Sequence, residues 1–547
     1  MFDFKGLIGA LLRRPPAEGI HNLKSATIWV QELPQGDIHQ AQAEIVKTVA
    51  ALNNNTKISV KERVRTILYL DDKAQSLQHT LCQDYLQDAG FGKHYLPTIL
   101  AFWAEMANAY KTCLRQYSEK PTRFSAQEIP TVVARGLHYY AMQTKWNHLR
   151  YLPVDAKNWR NLHRFFQFAE AEGIADQQVK LYPDSATYTT CTQQYLQPFM
   201  LELASPESLL PTQIDMVDHW LDQWVPLITL DKQIRPHRQL FAVNLDESKP
   251  ARKLRRNMVD TKYRYWGTDV LIEKVEQIAE ALKQGELPAR LGLGERFRLP
   301  AGLDLLETVA NRWSREGAGV TRKHERQALK KNIQVIHGFR ETLEQLRSPN
   351  RIRRFRSSGH GNTGIEIIAH TLPPAPEGEP ELFDNGLREW QMENESQYGI
   401  GASFNSDFDD SLAVGDLIGL KPEEQARFAI GIVRRIQKTL EGEVYVGIET
   451  INQTPILVKL GTDDTTSDGD IDAIYLPEAD NGTIPRCLLM KPDTFEQGKV
   501  LHLKAQGKSF TIRLKQPIDV SGDYTRARFA VLAKHESPTA VVAVVAH

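Results

Sequence analysis

The chain has 547 residues, of which 41% are hydrophobic and 25% are charged. This length exceeds what one hydrophobic core usually serves, and the composition excludes a wholly disordered chain, so we expect several folded domains. The 67 Lys and Arg residues against 68 Asp and Glu residues give a net charge of −1. A protein-wide positive field for attracting nucleic acid is therefore excluded, and any anion site must be local.

The four cysteines and the hydropathy pattern favour a cytoplasmic protein. Cys82, Cys113, Cys191 and Cys487 form no C-x-x-C pair and have no metal-ligand spacing. This pattern indicates isolated, mostly buried thiols of a reducing compartment. No stretch of about 18 apolar residues and no secretory signal is visible, so we expect no transmembrane segment.

Residues 1–315 are predicted to form an all-α N-terminal region. Apolar residues recur there at helical spacing, most clearly in two stretches, 155–173 and 268–288. The stripes are Trp159, Leu162, Phe166 and Ala169 in the first, and Leu271, Val275, Ile278 and Leu282 in the second. Such stripes stabilise helices by packing against one another, which predicts a bundle or array of helices.

A basic segment follows the helical region. Residues 314–321 (SREGAGVT) read as a small-residue linker, and residues 321–339 read TRKHERQALKKNIQVIHGF. Arg322 and Arg326 lie four residues apart, just ahead of an alternating pattern that predicts a strand. Taken alone, this segment is also compatible with a solvated basic linker.

Residues 340–388 interrupt the strand pattern. They contain an arginine-rich run followed by Gly-, Ser- and Pro-rich stretches with weak periodicity. This composition predicts a largely disordered insertion.

A second polar motif follows the insertion. Residues 388–404 read REWQMENESQYGIGASF, in which Asn394, Ser396 and Gly399 form N-x-S-x-x-G. The surrounding alternation predicts a strand, a turn and a second strand, with further short strands up to residue 451.

Residues 452–547 are predicted to form a β-rich C-terminal unit. Alternating apolar residues and short turns in its last hundred residues are typical of an antiparallel sheet or a small barrel. A second, degenerate barrel is one interpretation of this unit, because no second pair of motifs accompanies its strands.

The two motifs in this order resemble a PilZ domain, the bacterial receptor domain for cyclic di-GMP. The resemblance covers roughly residues 318–451, and the insertion separates its two halves farther than in a compact PilZ domain. It implies a β-barrel in which Arg322 and Arg326 hold guanine and phosphate. Asn394, Ser396 and Gly399 would form the barrel side of the site, with Thr321 and Lys323 as peripheral contacts.

The chemistry of these residue types agrees with the resemblance. An arginine fork matches the O6 and N7 acceptors of guanine, and its charge strengthens hydrogen bonds to phosphate. Asn394 and Ser396 can reach a base edge or a phosphate oxygen. Gly399 would permit a positive φ and close approach of the ligand at the turn.

The fold expected is therefore multidomain α+β, with an all-α region, a PilZ-like antiparallel β-barrel and a β-rich C-terminal unit. The expected function is a non-catalytic cyclic di-GMP receptor that uses no cofactor and no metal and binds no nucleic acid. An acidic loop at 464–472 resembles a calcium loop, but strand-like flanks argue against that role. Ligand binding would order the mobile segment around 314–326 and signal through the helical region to a protein partner. The alternative is a helical scaffold whose degenerate barrel binds no ligand.

Overall fold

The computed structural model describes residues 20–34, 36–87, 92–121, 123–317, 327–347, 387–405, 412–423, 425, 427–462, 470–478, 485–505 and 508–536. The chain divides into two compact units. The first comprises residues 1–322 with 437–442, and the second comprises residues 323–436 with 443–547.

The first unit is helical, as predicted. Its longer helices are α1 (Leu23–Gln31), α2 (Ile38–Asn54), α3 (Val60–Gln87), α4 (Leu96–Glu119), α5 (Arg123–His148), α6 (Ala156–Ala171), α7 (Cys191–Leu203), α8 (Pro211–Trp224), α9 (Asp269–Lys283) and α10 (Ala301–Trp313). Both predicted apolar stripes, on α6 and α9, are buried. Asp155 caps α6 by accepting a hydrogen bond from the Lys157 backbone N–H at 2.7 Å.

The helical unit also contains a small antiparallel sheet that the sequence pattern did not predict. Its strands are β1 (Phe241–Asn244), β2 (Arg252–Lys253) and β3 (Tyr263–Trp266), in the order β2-β1-β3. Each strand has four residues or fewer, which is too short to show a clear alternation. Phe241 and Trp266 are buried in the main helical core, so the sheet closes that core.

The second unit contains two closed six-stranded barrels. The first consists of β4 (Gln327–His337), β5 (Leu387–Ser396), β6 (Gly399–Asn405), β7 (Leu417–Pro422), β8 (Ala429–Lys438) and β9 (Glu443–Asn452). The second consists of β10 (Ile456–Gly461), β11 (Ile471–Leu476), β12 (Cys487–Met490), β13 (Val500–Ala505), β14 (Lys508–Val520) and β15 (Thr525–Glu536). The predicted barrel and the β-rich C-terminal region are thus both present.

The two barrels have the same connectivity. Their strand orders are β4-β5-β6-β9-β8-β7 and β10-β11-β12-β15-β14-β13, so each strand of one barrel has a counterpart six strands later. Closure removes the exposed sheet edges that would otherwise pair with other chains. The second barrel is therefore a topological repeat of the first.

A short helix joins the barrels through a shared core. Helix α11 (Phe339–Arg347) follows β4 after Gly338. The predicted disorder is therefore wrong for residues 340–347 and for residues 387–388, which begin β5, while residues 348–386 lie outside the described ranges. Its buried residues Phe339 and Leu343 belong to a core cluster with residues of both barrels. The cluster includes Leu417, Ile430, Ile432 and Ile451 of the first barrel and Ile474, Leu476, Cys487 and Leu489 of the second.

All four cysteines are free thiols, as predicted, and Cys113, Cys191 and Cys487 are buried. Within the described ranges, no helix is long and apolar enough to cross a membrane.

Candidate functional site

The candidate site lies on the β5–β6 hairpin of the first barrel. The apolar side of the hairpin is buried in the barrel through Trp390, Met392, Ile400, Ala402 and Phe404. The rings of Trp390 and Phe404 stack with centroids 4.3 Å apart. Because side chains alternate along a strand, Gly399, Gly401 and Ser403 lie on the outer face.

A β-bulge turns the polar motif to the outer face. Met392 pairs with Ala402, but the register then shifts so that Asn394 pairs with Gly401. Ala402 and Gly401 are successive residues, so their side-chain positions lie on opposite faces of the sheet. Because of the bulge, Asn394 therefore lies on the opposite face from the buried Met392. Ser396, paired with Gly399, lies on the same outer face as Asn394.

Asn394 packs its amide directly over Gly401. A Cβ atom on Gly401 would lie 2.7 Å from both the Nδ2 and the Oδ1 atoms of Asn394, so only glycine accommodates this side chain. The Oδ1 atom is buried and accepts no hydrogen bond from the described residues. A buried acceptor without a donor is costly, so a ligand or side chain that donates to it would gain free energy there.

Ser396 and Gly399 close the hairpin. The Ser396 hydroxyl donates a hydrogen bond to the Gly399 carbonyl at 3.2 Å. Gly399 does not use the positive φ that glycine permits, because it opens strand β6 and is not among the positive-φ glycines. Close approach is what favours glycine here, since a Cβ atom would lie 3.3 Å from the Ile448 carbonyl oxygen and from Ser396 Oγ.

The basic half of the predicted site lies outside the described residues. This applies to Arg322 and Arg326 and to the peripheral candidates Thr321 and Lys323. Strand β4 begins at Gln327, the residue after Arg326, and Gln327 pairs with Glu395 between Asn394 and Ser396. The described chain therefore brings the residue that follows Arg326 next to the polar motif.

The described residues include the start of the predicted linker, 314–317. Gly317 N–H donates to Ser314 Oγ at 2.9 Å, and Arg315 donates to the His237 carbonyl at 2.8 Å. The mobility predicted for this linker and the basic segment stays a prediction, because residues 318–326 lie outside the described ranges.

The structure adds neighbours that the sequence analysis missed. Gly447 of β9 pairs with Gly401, and its missing side chain leaves room for Arg435 of β8, whose Cβ would lie 3.3 Å from a Gly447 Cβ. Glycines inside strands often mark a close approach, and this signal was available at 401 and 447. Two adjacent glycines therefore separate Asn394 from Arg435 on the outer wall.

An ion-pair network flanks this wall. Glu449, which pairs with Gly399, accepts from Arg434 Nε at 2.7 Å, and Arg434 also contacts Asp519 of the second barrel at 3.2 Å. Burial lowers the pKa of Arg434, but Asp519 and Glu449 outweigh it, and the net shift is upward. Arg434 therefore neutralises the carboxylate beside the site.

The described part of the chain contains no group of three or more His, Cys, Asp or Glu side chains placed to hold a metal ion. Residues 463–469, most of the calcium-like loop, lie outside the described ranges.

A comparison with known protein families gives a match in the helical region. Residues 24–236 match the family model described as the N-terminal domain of the cyclic-di-GMP receptor FimW. The helical region is similar to that of a cyclic-di-GMP receptor. This FimW-type match confirms the predicted relationship to such receptors, and it ends before the first barrel begins. No curated protein and no solved structure matches the chain.

Proposed function

We propose that this protein is a receptor for cyclic di-GMP that binds its ligand on the outer wall of the first barrel. The FimW-type helical region supports the receptor role. The observation that carries the proposed site is the strand register, in which Gln327 follows Arg326 and pairs with Glu395, between Asn394 and Ser396.

Chain connectivity limits how far the two arginines can lie from the hairpin. Consecutive Cα atoms are about 3.8 Å apart, so the Arg326 backbone cannot leave the neighbourhood of Gln327. Arg322 is five residues from Gln327, a span of at most about 18 Å in an extended chain. Both arginines are thus tethered to the edge of the hairpin that carries Asn394.

The proposed roles follow from the chemistry of the ligand. Arg322 and Arg326 bind guanine O6 and N7 or a phosphate oxygen, which their forked donors match. Asn394 Oδ1, which lacks a donor within the described chain, accepts an N–H from a guanine edge. Gly399 has no side chain to hinder the approach of a flat base, while Gly401 makes room for the Asn394 amide.

A binding role suits Ser396 better than a catalytic one. Its hydroxyl donates to the Gly399 carbonyl, which is not a group that could activate it as a nucleophile. We accordingly propose a cytoplasmic receptor without catalytic activity, in which no cofactor takes part. The barrel belongs, on this proposal, to the PilZ type.

We propose that the helical region transmits the ligand-bound state to a protein partner. Binding of the dianion would draw the cationic segment 318–326 onto the barrel wall, and a protein partner of the helical region would sense that change. The relay rests on the position of this segment in the sequence, directly between the helical region and β4.

Calorimetric titration of the full-length protein tests the function. Cyclic di-GMP should bind, and cyclic di-AMP should bind at least tenfold more weakly, because adenine has an amino donor where guanine has O6. Arg326→Ala should weaken binding about tenfold to a hundredfold through loss of charge-assisted hydrogen bonds. Arg340→Ala is the matched control, since Arg340 is exposed on α11 and its ion pair is with Glu344 of the same helix.

Equal affinity of the Arg326→Ala and Arg340→Ala variants would place the ligand elsewhere. Absence of heat with cyclic di-GMP in the wild-type protein would favour the alternative, a helical scaffold whose barrel binds no ligand.

A further inference from the structure

Two helices of the first unit carry a cluster of cations that we call the basic face. It consists of Lys111 and Arg115 of α4 and Lys157 and Arg164 of α6. Arg115, Lys157 and Arg164 are exposed, while Lys111 is half-buried. A ring contact between Tyr117 and Phe168, with centroids 6.3 Å apart, joins the two helices near this face.

The basic face has no carboxylate partners within the described chain. Within the described chain, none of its four side chains has a carboxylate within 4 Å, although Glu119 and Asp155 are close in sequence. Two largely buried cations of the unit, Lys145 and Arg264, are by contrast closely paired with carboxylates. Lys145 lies 2.8 Å from Asp215 and 2.7 Å from Asp218, and Arg264 lies 2.6 Å from Glu170.

The positive charge also extends beneath the surface. The buried guanidinium of Arg63 donates to the Gln116 side chain at 2.9 Å and to the carbonyls of Leu52 and Asn55, all of which are neutral. Burial lowers the pKa of Lys111, and repulsion from Lys157, Arg164 and Arg115 lowers it further. These cations thus repel one another, and no carboxylate of the described residues pairs with them.

The spacing of the cations suits an acidic helix. Lys111 and Arg115 are one turn apart, about 6 Å, and Lys157 and Arg164 are two turns apart, about 10.5 Å. Carboxylates on one face of a partner helix recur at the same intervals. Neither α4 nor α6 bears an exposed large apolar side chain that could anchor in a bilayer, and the face offers no exposed aromatic ring for nucleic-acid bases.

We propose that the basic face docks an acidic α-helix of a partner protein. Opposite charges would steer the encounter and fix the register of the two helices. The role of the basic face as the output surface of a cyclic di-GMP receptor rests on the function proposed above. Binding of an acidic helix to the basic face can nevertheless be measured without the nucleotide, so each of the two proposals can fail while the other holds.

The test uses a fluorescent 20-residue alanine-rich peptide with Glu on one helical face, and the same peptide with Gln in place of Glu. Anisotropy is measured with the full-length protein at low salt. Arg115→Glu/Arg164→Glu should weaken binding of the Glu peptide at least tenfold. The control, Lys24→Glu/Lys283→Glu, changes the net charge equally at exposed positions on other helices and should bind like the wild type.

Preference for the Glu peptide that is lost only in the basic-face variant supports the proposal. Equal binding of the Glu and Gln peptides, or equal weakening in both double variants, would overturn it. A 20-base-pair DNA duplex and vesicles with anionic lipid are titrated in parallel. If the DNA or the vesicles bind more tightly than the Glu peptide and Arg115→Glu/Arg164→Glu abolishes that binding, the basic face binds that anion. This result would also overturn the proposal of a protein partner.

Discussion

The Asn394 side chain carries a buried acceptor atom that the described residues leave without a donor. We predict that Asn394→Ala weakens cyclic di-GMP binding about tenfold yet leaves the melting temperature of the free protein unchanged or raises it, because no hydrogen bond of Oδ1 is lost. A residue retained only for structure would show the opposite effect on stability. Differential scanning fluorimetry and calorimetry together measure both quantities.

Asn452 is the matched control for this substitution. It is also buried, but its amide donates to the Pro477 carbonyl at 3.0 Å and its Oδ1 accepts from Thr454 N–H at 2.7 Å. Asn452→Ala should therefore lower the melting temperature and leave ligand affinity intact. A fall in stability for Asn394→Ala as large as for Asn452→Ala would contradict the binding role.

Gly401 offers a second test at the residue scale. Its Ala variant would push a methyl group against the Asn394 amide, which we expect to move and to lose its contact with the ligand. Gly401→Ala should weaken binding about tenfold, measured by the same titration. Gly522→Ala is the control, since a Cβ atom there meets nothing within 4 Å. Equal affinities of the two variants for cyclic di-GMP would contradict the prediction.

The residue scale also shows why the site could be predicted only in part. The spacing of Asn394, Ser396 and Gly399 is visible in the sequence, and the strands fix their common face. The bulge after Met392 is not visible, because alternation alone gives residues 392 and 394 the same face. Gly401 and Gly447 become meaningful only when strand pairing brings them together across the sheet.

Helix α11 determines how the two barrels share stability. Phe339 is buried in a core cluster built from both barrels, so Phe339→Ala should cost about 3–5 kcal/mol and destabilise both. Hydrogen exchange followed by mass spectrometry should show faster exchange in β8 and in β12 by similar factors. Acceleration in one barrel alone would contradict the shared core, and Arg340→Ala on the exposed side of the helix should change neither.

Helix α6 contributes a pH dependence through His163. This buried ring sits between the Tyr195 hydroxyl at 2.7 Å and the Lys249 carbonyl at 3.0 Å, partners that one neutral tautomer satisfies. Burial lowers the pKa of His163 to about 4. Since the unfolded value is about 6.5, the unfolded state binds the proton first, and stability falls as pH drops from 6.5 towards 4.

The expected result is a difference between wild type and variant. Between pH 7 and pH 5 the wild type should lose about 2 kcal/mol more unfolding free energy than His163→Gln, measured by urea unfolding with circular dichroism. The exposed His79→Gln variant should follow the wild type. Parallel pH profiles for wild type and His163→Gln would show that His163 does not titrate as its burial implies.

At the scale of elements, prediction succeeded where a pattern is long and local. Helices α6 and α9 have 16 and 15 residues and carry clear apolar stripes, whereas β1–β3 are too short to alternate visibly. Helix α11 escaped prediction because its stability depends on distant contacts. Its first residue, Phe339, donates a backbone hydrogen bond to Asp523, a residue of the second barrel that is far away in sequence.

The two barrels of the second unit differ at equivalent hairpin ends, which explains why the candidate site lies on the first barrel. In the second barrel, Leu476 and Cys487 pair at the hairpin position that Ser396 and Gly399 occupy in the first. Leu476 and Cys487 are both buried in the shared core. The repeated topology thus uses one hairpin end for a polar outer wall and its counterpart for joining the barrels.

Hydrogen exchange of the full-length protein with and without cyclic di-GMP tests the central claim most directly. Slower exchange in peptides covering residues 322–328 and 393–401, with unchanged exchange in the counterpart hairpin at 474–489, is the predicted result. Unchanged exchange at 393–401 with saturating ligand, or protection of 474–489 in its place, would contradict a cyclic di-GMP site on the outer wall of the first barrel.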